Sequence, residues 1–327
     1  MRCIFRTETN PYFNLAAEEF VFKNFSGNTF MLWFNEPAVI IGKHQNAFAE
    51  INQPFIKANN IKVVRRISGG GTVYHDHGNL NFSFISNSDK PQSIDFSRFT
   101  LPVINVLARL GVKAEMGLKN SIFIGNHKIS GNAEHLYKNT ILHHGTLLFS
   151  SDLKVLEQAI KPSAVSFEDK AIKSVRSRVG NISDFLPSPC TVDDFSQFIF
   201  QEIMEMNENS FAYSFNESDK ESISRLSKEK YETWEWNYGY SPEFRFRIQV
   251  QSSSGNLCLH IIVKDGIIRE VLAADNEHGA MELFLQLRQL LPGVKLKEEL
   301  IRQKLITVFP TAVTEAVTQS IFVGNPC

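Results

Sequence analysis

Alternating apolar and polar residues run through the first half of the chain and predict strands of a sheet. Within residues 80–86, apolar and polar residues alternate from Leu80 to Phe84, which is typical of a half-buried strand whose apolar face carries Leu80, Phe82 and Phe84. A Gly-Asn turn at 125–126 divides residues 121–133 into a predicted hairpin. Further apolar runs bounded by turn residues predict strands at 29–34, 38–42, 61–66 and 140–150.

Apolar residues that recur every three to four positions predict helices between these strands. The first helix is expected to begin near Tyr12, directly after Asn10-Pro11. Gly111 is expected to end another helix, because glycine is common just after a helix C-terminus. The remaining predicted helical segments are 51–60, 97–110, 152–160, 191–206 and 218–231. Residues 162–179 show no periodicity and are predicted to form a long loop.

The composition changes at residues 234–244, where aromatic residues and a Gly-Tyr-Ser-Pro turn replace the helical pattern. Beyond this segment, two strand-like hairpins precede a run of helical sequence, which predicts a small α+β unit of about 80 residues, within the usual size of a domain. We therefore predict two domains, a catalytic domain at 1–240 and a small accessory domain at 244–327.

Composition and charge exclude several functional classes. Of the 327 residues, 43% are hydrophobic, and the net charge of −1 lacks the strong positive charge that is typical of nucleic-acid-binding domains. No apolar run approaches the roughly 18 residues that a membrane span requires. The four cysteines are far apart in sequence and form no Cys-x-x-Cys pair, which favours reduced thiols and a cytoplasmic protein.

The segment RRISGGGTVYHDHGNLNFSF, residues 65–84, contains three consecutive glycines after a predicted strand. Such a turn lets backbone N–H groups approach an anion closely, and the planar guanidinium of an arginine suits phosphate. The spacing matches neither the Walker phosphate loop nor the Rossmann dinucleotide fingerprint. The alternative interpretation is a tight bulged turn without a ligand.

Other candidate groups follow along the chain. On a strand, His75 and His77 would point to the same side as two metal ligands do, but no third ligand is evident. Lys128 lies just after the hairpin turn and could neutralise a carboxylate or a phosphate; the alternative is a solvated strand lysine. The basic segment KAIKSVRSR, residues 170–178, could close over a nucleotide or could be a solvated loop.

Taken together, these motifs resemble the lipoate–protein ligase A family. RRISGGGTVYHDHGNLNFSF, KISGNA, HHGTLLF and SVRSRVGNI occur in that family's order and spacing, and WEWNYG before a small C-terminal unit resembles its full-length members. The resemblance implies the fold of biotin and lipoate protein ligases: an α+β catalytic domain with a mixed β-sheet flanked by helices, plus a small α+β domain. It covers nearly the whole chain.

The resemblance also implies a reaction in two steps. Lipoate and ATP would give lipoyl-AMP, whose lipoyl group would pass to a lysine of apo lipoyl domains in the E2 subunits of 2-oxoacid dehydrogenases or in the glycine-cleavage H protein. The implied ATP-binding residues are Arg66, Gly71, Thr72, Val73, Tyr74 and Lys128. Lys128 would also be catalytic and would bind the lipoyl carboxylate, together with Ser68, Gly70 and His144, and the lid loop would carry Arg176 and Arg178.

One position departs from the family. Where the family usually has aspartate, a ligand that Mg²⁺ prefers, this chain has Ser121. Mg²⁺ would then be held mainly by phosphates and water, with no metal site built from side chains, or adenylation would be weakened. Two further hypotheses stay open: a transferase that uses preformed lipoyl-AMP, and a binding protein that senses lipoate or a nucleotide. Whether octanoate is also used is not indicated.

Overall fold

We describe residues 1–87, 95–117, 120–160, 165–252, 255–274 and 280–324 of a computed structural model. The strands are β1 (Arg2–Arg6), β2 (Thr29–Phe34), β3 (Ala38–Ile41), β4 (Lys62–Arg65), β5 (Val73–His75), β6 (Asn79–Asn87), β7 (Glu115–Met116), β8 (Ser121–Ile124), β9 (His127–Tyr137), β10 (Thr140–Leu148), β11 (Ser166–Asp169), β12 (Phe211–Ala212), β13 (Phe244–Ser252), β14 (Gly255–Lys264) and β15 (Ile267–Ala273). The α-helices are α1 (Pro11–Asn24), α2 (Ala47–Glu50), α3 (Gln53–Ala58), α4 (Phe96–Arg109), α5 (Leu153–Ala159), α6 (Val192–Glu205), α7 (Glu217–Leu226), α8 (Met281–Leu290), α9 (Glu298–Leu305) and α10 (Thr311–Gln319).

The chain divides into two compact units. Unit 1 comprises Met1–Lys43, Lys62–Glu157 and Ser174–Thr233, and unit 2 comprises His44–Ile61, Gln158–Lys173 and Trp234–Cys327. Unit 2 therefore includes two segments from earlier in the chain besides the C-terminal region. The boundary between residues 240 and 244 stays a prediction.

Unit 1 is built on an eight-stranded mixed sheet in the order β12-β1-β2-β6-β10-β9-β8-β7. β1 pairs in parallel with β2, whereas β2, β6, β10 and β9 pair antiparallel in succession. β3, β4 and β5, which flank the glycine segment, form a separate three-stranded sheet. The α+β class and the mixed sheet flanked by helices are confirmed, although the strands around the glycines lie in this second sheet.

β6 differs from the half-buried strand that its alternation predicts. Phe82 and Phe84 enter the main core of unit 1, as expected. The polar residues Asn81 and Ser83 on the opposite face are also buried, at 2% and 0% exposure. Burial of polar groups requires hydrogen-bond partners. The polar face of this sheet is therefore an interior surface, and the candidate site lies on it.

Helix α1 begins where the sequence indicates. The side chain of Asn10 accepts hydrogen bonds from the backbone N–H groups of Tyr12 and Phe13, and Pro11 occupies the first helical position, where a missing N–H costs nothing. Both sides of the helix are largely buried, and the buried set includes the neighbouring residues Glu18 and Glu19.

Unit 2 has its own four-stranded sheet in the order β11-β13-β14-β15. The prediction of one long loop over 162–179 is wrong at β11, which pairs with β13 about eighty residues later in the chain, so no local pattern reveals it. Residues 161–164, where that loop was expected to begin, lie outside the described residues.

The cysteines of the described residues differ in their bonding. Cys3 and Cys190 carry free thiols, whereas Cys258 is disulfide-bonded, so the expectation of reduced thiols is wrong for this residue. Cys327 lies outside the described residues.

In the described parts of the chain, none of the helices has the length and apolar character that crossing a membrane requires.

The turn after β5 packs backbone against backbone. The carbonyl oxygen of Gly78 accepts the N–H groups of Phe149 and Ser150, at 3.0 and 2.9 Å. The Asp76 carboxylate accepts the N–H groups of Gly78 and Asp152, at 3.0 and 2.8 Å. This contact holds the start of β6 beside the end of β10.

We predict that Gly78→Ala destabilises the protein. The added methyl group would lie 2.2 Å from the carbonyl oxygen of Ser150 and 2.6 Å from the nitrogen of Ser151, so backbone must move. We expect the free energy of unfolding to fall by about 1–3 kcal/mol, measured by thermal denaturation. Gly69→Ala is the matched control, because its methyl group meets nothing within 4 Å. Equal melting temperatures for the two variants would contradict this account.

Candidate active site

The glycine turn, residues 68–71, is organised around the guanidinium of Arg66. Its Nη2 donates to the carbonyl oxygens of Gly69 and Gly71, at 2.7 and 2.8 Å, and its Nε donates to Ser68 Oγ at 3.0 Å. Burial lowers the pKa of Arg66 to about 10, so the side chain is still a cation at neutral pH. Arg66 therefore holds the carbonyl side of the turn.

The N–H side of the turn is available to a ligand. Among the described residues, the N–H groups of Gly69, Gly70 and Gly71 donate to no protein acceptor. Gly70 has a φ of +88°, a conformation that favours glycine. Consecutive backbone donors beside a buried cation form a concave site that suits an anion.

A second segment, the strap (residues 174–180), lies against this turn. Ser174 Oγ accepts the backbone N–H of Thr72 at 2.9 Å. At its other end, Arg178 and Gly180 form backbone hydrogen bonds with Lys128, at 2.8 and 3.1 Å. The strap thus joins the glycine turn to β9. Arg176 and Arg178 are exposed on it, and their role in a lid stays a prediction.

Lys128 is a half-buried cation near the glycine turn. Burial lowers the pKa of Lys128, and no carboxylate among the described residues lies within ion-pair distance of its Nζ. A Cβ added to Gly131 would lie 3.3 Å from this Nζ, so the amine lies over the small residue Gly131. An uncompensated, partly desolvated cation attracts an anionic ligand.

The same face of β9 leads from Lys128 to the glycine turn. Gly131 and Ala133 are two residues apart and therefore face the same side of the strand. A Cβ on Gly70 would lie 3.7 Å from Cβ of Ala133. His144 pairs directly with Ala133 across the strands, which puts the two side chains on one face. The residues of β9 that lie between Lys128 and the turn on this face, Gly131 and Ala133, are therefore small.

His144 connects the turn to the buried polar face of the sheet. Its Nε2 lies 2.6 Å from Ser68 Oγ, and its Nδ1 lies 2.8 Å from Glu18 Oε1. Ser83, on β6, donates to the same carboxylate oxygen at 2.6 Å. The neighbouring His143 points to the other face, where it contacts Glu134 at 2.8 Å among aromatic rings of the core. The structure thus brings His144, and not His143, to the site.

The two histidines of the suggested metal pair are separated. His75 is buried at the end of β5 with its Nδ1 3.0 Å from Asn35 Nδ2, whereas His77 is exposed in the following turn. Burial, together with the charge of Arg66 and the neighbouring His144, lowers the pKa of His75 to about 3. His75 is therefore neutral at physiological pH.

Residues 72–74, which were expected to line a nucleotide site, run from the turn into β5. Thr72 and Tyr74 are buried, and Val73 is half-buried. Burial, with Asp76 and Asp152 nearby, raises the pKa of the Tyr74 phenol. This segment lies next to the turn because it follows the turn directly in the chain.

The described side chains near Lys128 offer no set of metal ligands. The described residues contain no group of three or more His, Cys, Asp or Glu side chains that could hold a metal ion. Ser121 pairs with Gly131 across β8 and β9, so its hydroxyl faces the side of the sheet that carries Lys128. A neutral hydroxyl is a poor ligand for Mg²⁺ compared with a carboxylate.

Two residues of this arrangement were missed in the sequence. Glu18 carried a signal, since an acidic residue within the apolar run Leu15–Phe22 is expected to be buried only when it is hydrogen-bonded. Ser174 carried none, because a serine between basic loop residues has the same composition as a solvated loop.

Comparison with known sequences identifies close relatives. The sequence model of the lipoyl protein ligase A/B catalytic domain matches residues 10–204. The chain is 41% identical to the lipoate–protein ligase LplJ of Bacillus subtilis over 97% of this chain and 94% of the relative. It is 46% identical to lipoate–protein ligase 1 of Staphylococcus aureus over 69% of each chain.

Solved structures of similar proteins have the same fold. Three chains are each 28% identical to this protein and align with 73% of it. One is a lipoate protein ligase of Thermoplasma acidophilum with bound lipoic acid, with a TM-score of 0.63 over 98% of that chain. Another, from a study of a bipartite ligase and its E2 lipoyl domain from the same organism, aligns at 0.61 over 96%. The third, lipoate-protein ligase A bound with ATP, aligns at 0.62 over 98%.

We predict that Gly71→Ala loosens the strap. The added methyl group would lie 3.1 Å from Ser174 Oγ and 3.3 Å from its Cα, which pushes Ser174 away from the N–H of Thr72. Loss of one hydrogen bond, about 1 kcal/mol, should speed hydrogen exchange of the Thr72 amide about fivefold.

Ser174→Ala should have the same effect on Thr72, because it removes the acceptor, and Gly69→Ala should have none. Unchanged exchange in both Gly71→Ala and Ser174→Ala would show that the strap does not protect this amide.

Proposed function

This chain belongs to the lipoyl protein ligase A/B catalytic domain family, and from that premise we propose that it is an ATP-dependent lipoate–protein ligase. A carboxylate oxygen of lipoate attacks the α-phosphorus of ATP, lipoyl-AMP forms, and pyrophosphate leaves. The amine of an acceptor lysine then attacks the acyl carbon, forms an amide, and releases AMP. The observation that carries this proposal is the cation of Lys128, without a carboxylate partner among the described residues, on the strand that contacts the glycine turn, whose N–H groups at Gly69–Gly71 donate to no acceptor in the described parts of the chain.

The chemistry of adenylation matches this charge distribution. Two negative groups, the lipoate carboxylate and the α-phosphate, must approach one another closely. The Lys128 ammonium neutralises both of them, and the N–H groups of Gly69–Gly71 stabilise the charge that develops on phosphate oxygens. No nucleophilic side chain is needed, because AMP activates the acyl carbon.

We propose that ATP lies along Gly71, Thr72, Val73 and Tyr74. Arg66 is proposed to act on the phosphates mainly through the turn, because four of its five N–H donors are directed to Ser68, Gly69, Gly71 and the carbonyl oxygen of Ile40. Arg176 and Arg178 on the strap supply positive charge from the opposite side. Lipoate is proposed to reach Ser68, Gly70 and His144 with its carboxylate toward Lys128.

The acceptors are proposed to be apo lipoyl domains of E2 subunits and the glycine-cleavage H protein. We propose octanoate as a second acid substrate, because its hydrocarbon chain is similar to that of lipoate. We expect Mg²⁺ to be held by ATP phosphates and water, since the hydroxyl of Ser121 is a poor ligand for it and the described residues show no cluster of metal-binding side chains. Because the reaction consumes ATP, we expect it to take place in the cytoplasm.

Ser121 favours one alternative, a transferase that uses preformed lipoyl-AMP. Native mass spectrometry with lipoate and Mg-ATP, without acceptor, separates the two. Retained lipoyl-AMP supports the ligase. If the protein retains only lipoate or ATP but transfers synthetic lipoyl-AMP to an apo lipoyl domain, the transferase is correct. Ligand binding without any transfer would instead indicate a sensor.

We predict that Lys128→Met removes activity without destabilising the ligand-free protein. Loss of the charge should lower the rate of adenylation by about 10²–10³, measured as pyrophosphate release. The melting temperature should be equal or higher, because a partly buried cation without a partner is removed.

The sign of the stability effect depends on pH. Burial lowers the pKa of Lys128 in the folded state, so its cost is fully present where the lysine is charged in both states and vanishes as the pH rises above the ordinary lysine pKa. Any gain in melting temperature should therefore be larger at neutral pH than at strongly alkaline pH. Near-normal adenylation by the variant would exclude the proposed role.

A further inference from the structure

Two neighbouring glutamates on α1 are buried in the interior of unit 1. Glu18 is 0% exposed and Glu19 is 1% exposed. A buried carboxylate is costly unless it is paired and hydrogen-bonded. The two residues satisfy this requirement in different ways, and the proposed chemistry accounts for neither of them.

Glu19 has cationic partners that hold helices together. Lys23 and Lys230 form ion pairs with its two oxygens, at 2.6 and 2.7 Å, and Tyr231 donates a short hydrogen bond. Lys230 and Tyr231 belong to the π-helical turn Ser227–Tyr231, which packs on α1. Glu19 therefore stabilises the helical layer of unit 1.

Glu18 has no lysine or arginine within ion-pair distance among the described residues. Its Oε1 accepts hydrogen bonds from Ser83 and His144, and its Oε2 is buried without a partner in that part of the chain. The cation whose charge it compensates is Arg66, which it reaches through His144 and Ser68.

The direction of each hydrogen bond in this chain follows for a neutral His144. Because an ionised carboxylate only accepts, such a His144 donates through Nδ1 to Glu18, and its Nε2 then accepts the hydroxyl proton of Ser68, whose other acceptor, the Gly69 carbonyl oxygen, is farther away at 3.4 Å. Ser68 Oγ in turn accepts from Arg66 Nε, since a guanidinium only donates. Nη2 of Arg66 donates to the carbonyl oxygens of Gly69 and Gly71, and its Nη1 donates to that of Ile40 at 3.2 Å. Glu18 thus determines the tautomer, the hydroxyl orientation and the guanidinium position in sequence.

We propose that Glu18 is a positioning residue for nucleotide binding, which orients the N–H donors of the glycine turn through His144, Ser68 and Arg66. The proposal rests on the proposed function only for the identity of the anion, ATP. His144 and Ser68, which we propose to contact lipoate, and the glycine turn then belong to one hydrogen-bond chain. A neutral glutamine at position 18 would no longer fix which ring nitrogen of His144 carries the proton. It would also leave Arg66 buried without a counter-charge.

The chain offers a matched control for this proposal. Glu18→Gln and Glu19→Gln each remove one buried carboxylate from adjacent positions of the same helix, with the same change in volume. If Glu18 had only a structural role, both variants would lower the melting temperature and leave nucleotide binding unchanged. Isothermal titration with ATP and thermal denaturation of both variants distinguish the two roles.

We expect Glu18→Gln to weaken ATP binding about tenfold and to raise the KM for ATP, whereas Glu19→Gln lowers the melting temperature and binds ATP as the parent does. Glu18→Asp should recover part of the affinity, because the charge is kept. Unchanged ATP affinity in Glu18→Gln, or an equal loss in Glu19→Gln, would overturn the proposal.

A double-mutant cycle tests the route. If Glu18 acts through Ser68, the variant with both Glu18→Gln and Ser68→Ala should bind ATP no more weakly than the weaker single variant. Additive losses would contradict the proposed chain of contacts.

Hydrogen exchange keeps this inference separate from the proposed function. If the parent protein did not bind ATP, the proposed function would fail. Hydrogen exchange of the amides of residues 69–72, measured without ligand, would still test whether Glu18 positions the turn. Faster exchange of these amides in Glu18→Gln than in Glu19→Gln supports the positioning role, and equal exchange rejects it.

Discussion

The geometry of the site depends on the burial of the Arg66 guanidinium beneath the glycine turn. A buried cation must be compensated by acceptors, and here the acceptors are two carbonyl oxygens of the turn, Ser68 Oγ and the carbonyl oxygen of Ile40. Because the Gly69 carbonyl points to Arg66, the N–H of the same peptide, which belongs to Gly70, is left for a ligand, whereas the N–H of Thr72 donates to Ser174 Oγ. The anion site that we propose is therefore built from backbone, with one buried arginine holding the turn.

The sequence predicted much of this arrangement, and the reasons are local. Glycines at 69–71 indicated a turn with accessible N–H groups, and alternation in β6 indicated a core face. The resemblance to lipoate–protein ligases then attached a reaction to these residues, and the comparisons confirmed the family and the fold.

Other features depend on contacts between distant parts of the chain and could not be predicted. The polar face of β6 is buried because α1 supplies Glu18, which lies 65 positions away from Ser83. β11 exists because β13 pairs with it. Arg66 was expected to bind phosphate directly, but its donors are directed to the turn, and only the folded backbone reveals that choice. Its role toward ATP stays a prediction.

The division of unit 2 into three chain segments has a consequence for truncation. Phe48 and Val165, at 4% and 5% exposure, belong to the hydrophobic core formed with Phe244, Leu259 and Ile261. A protein cut near residue 240 would keep the first two residues and lose the strands that cover them. Such a fragment would carry apolar surface that invites aggregation, so the C-terminal region cannot be removed as a simple appendage. A minimal catalytic fragment would need polar replacements at these two positions.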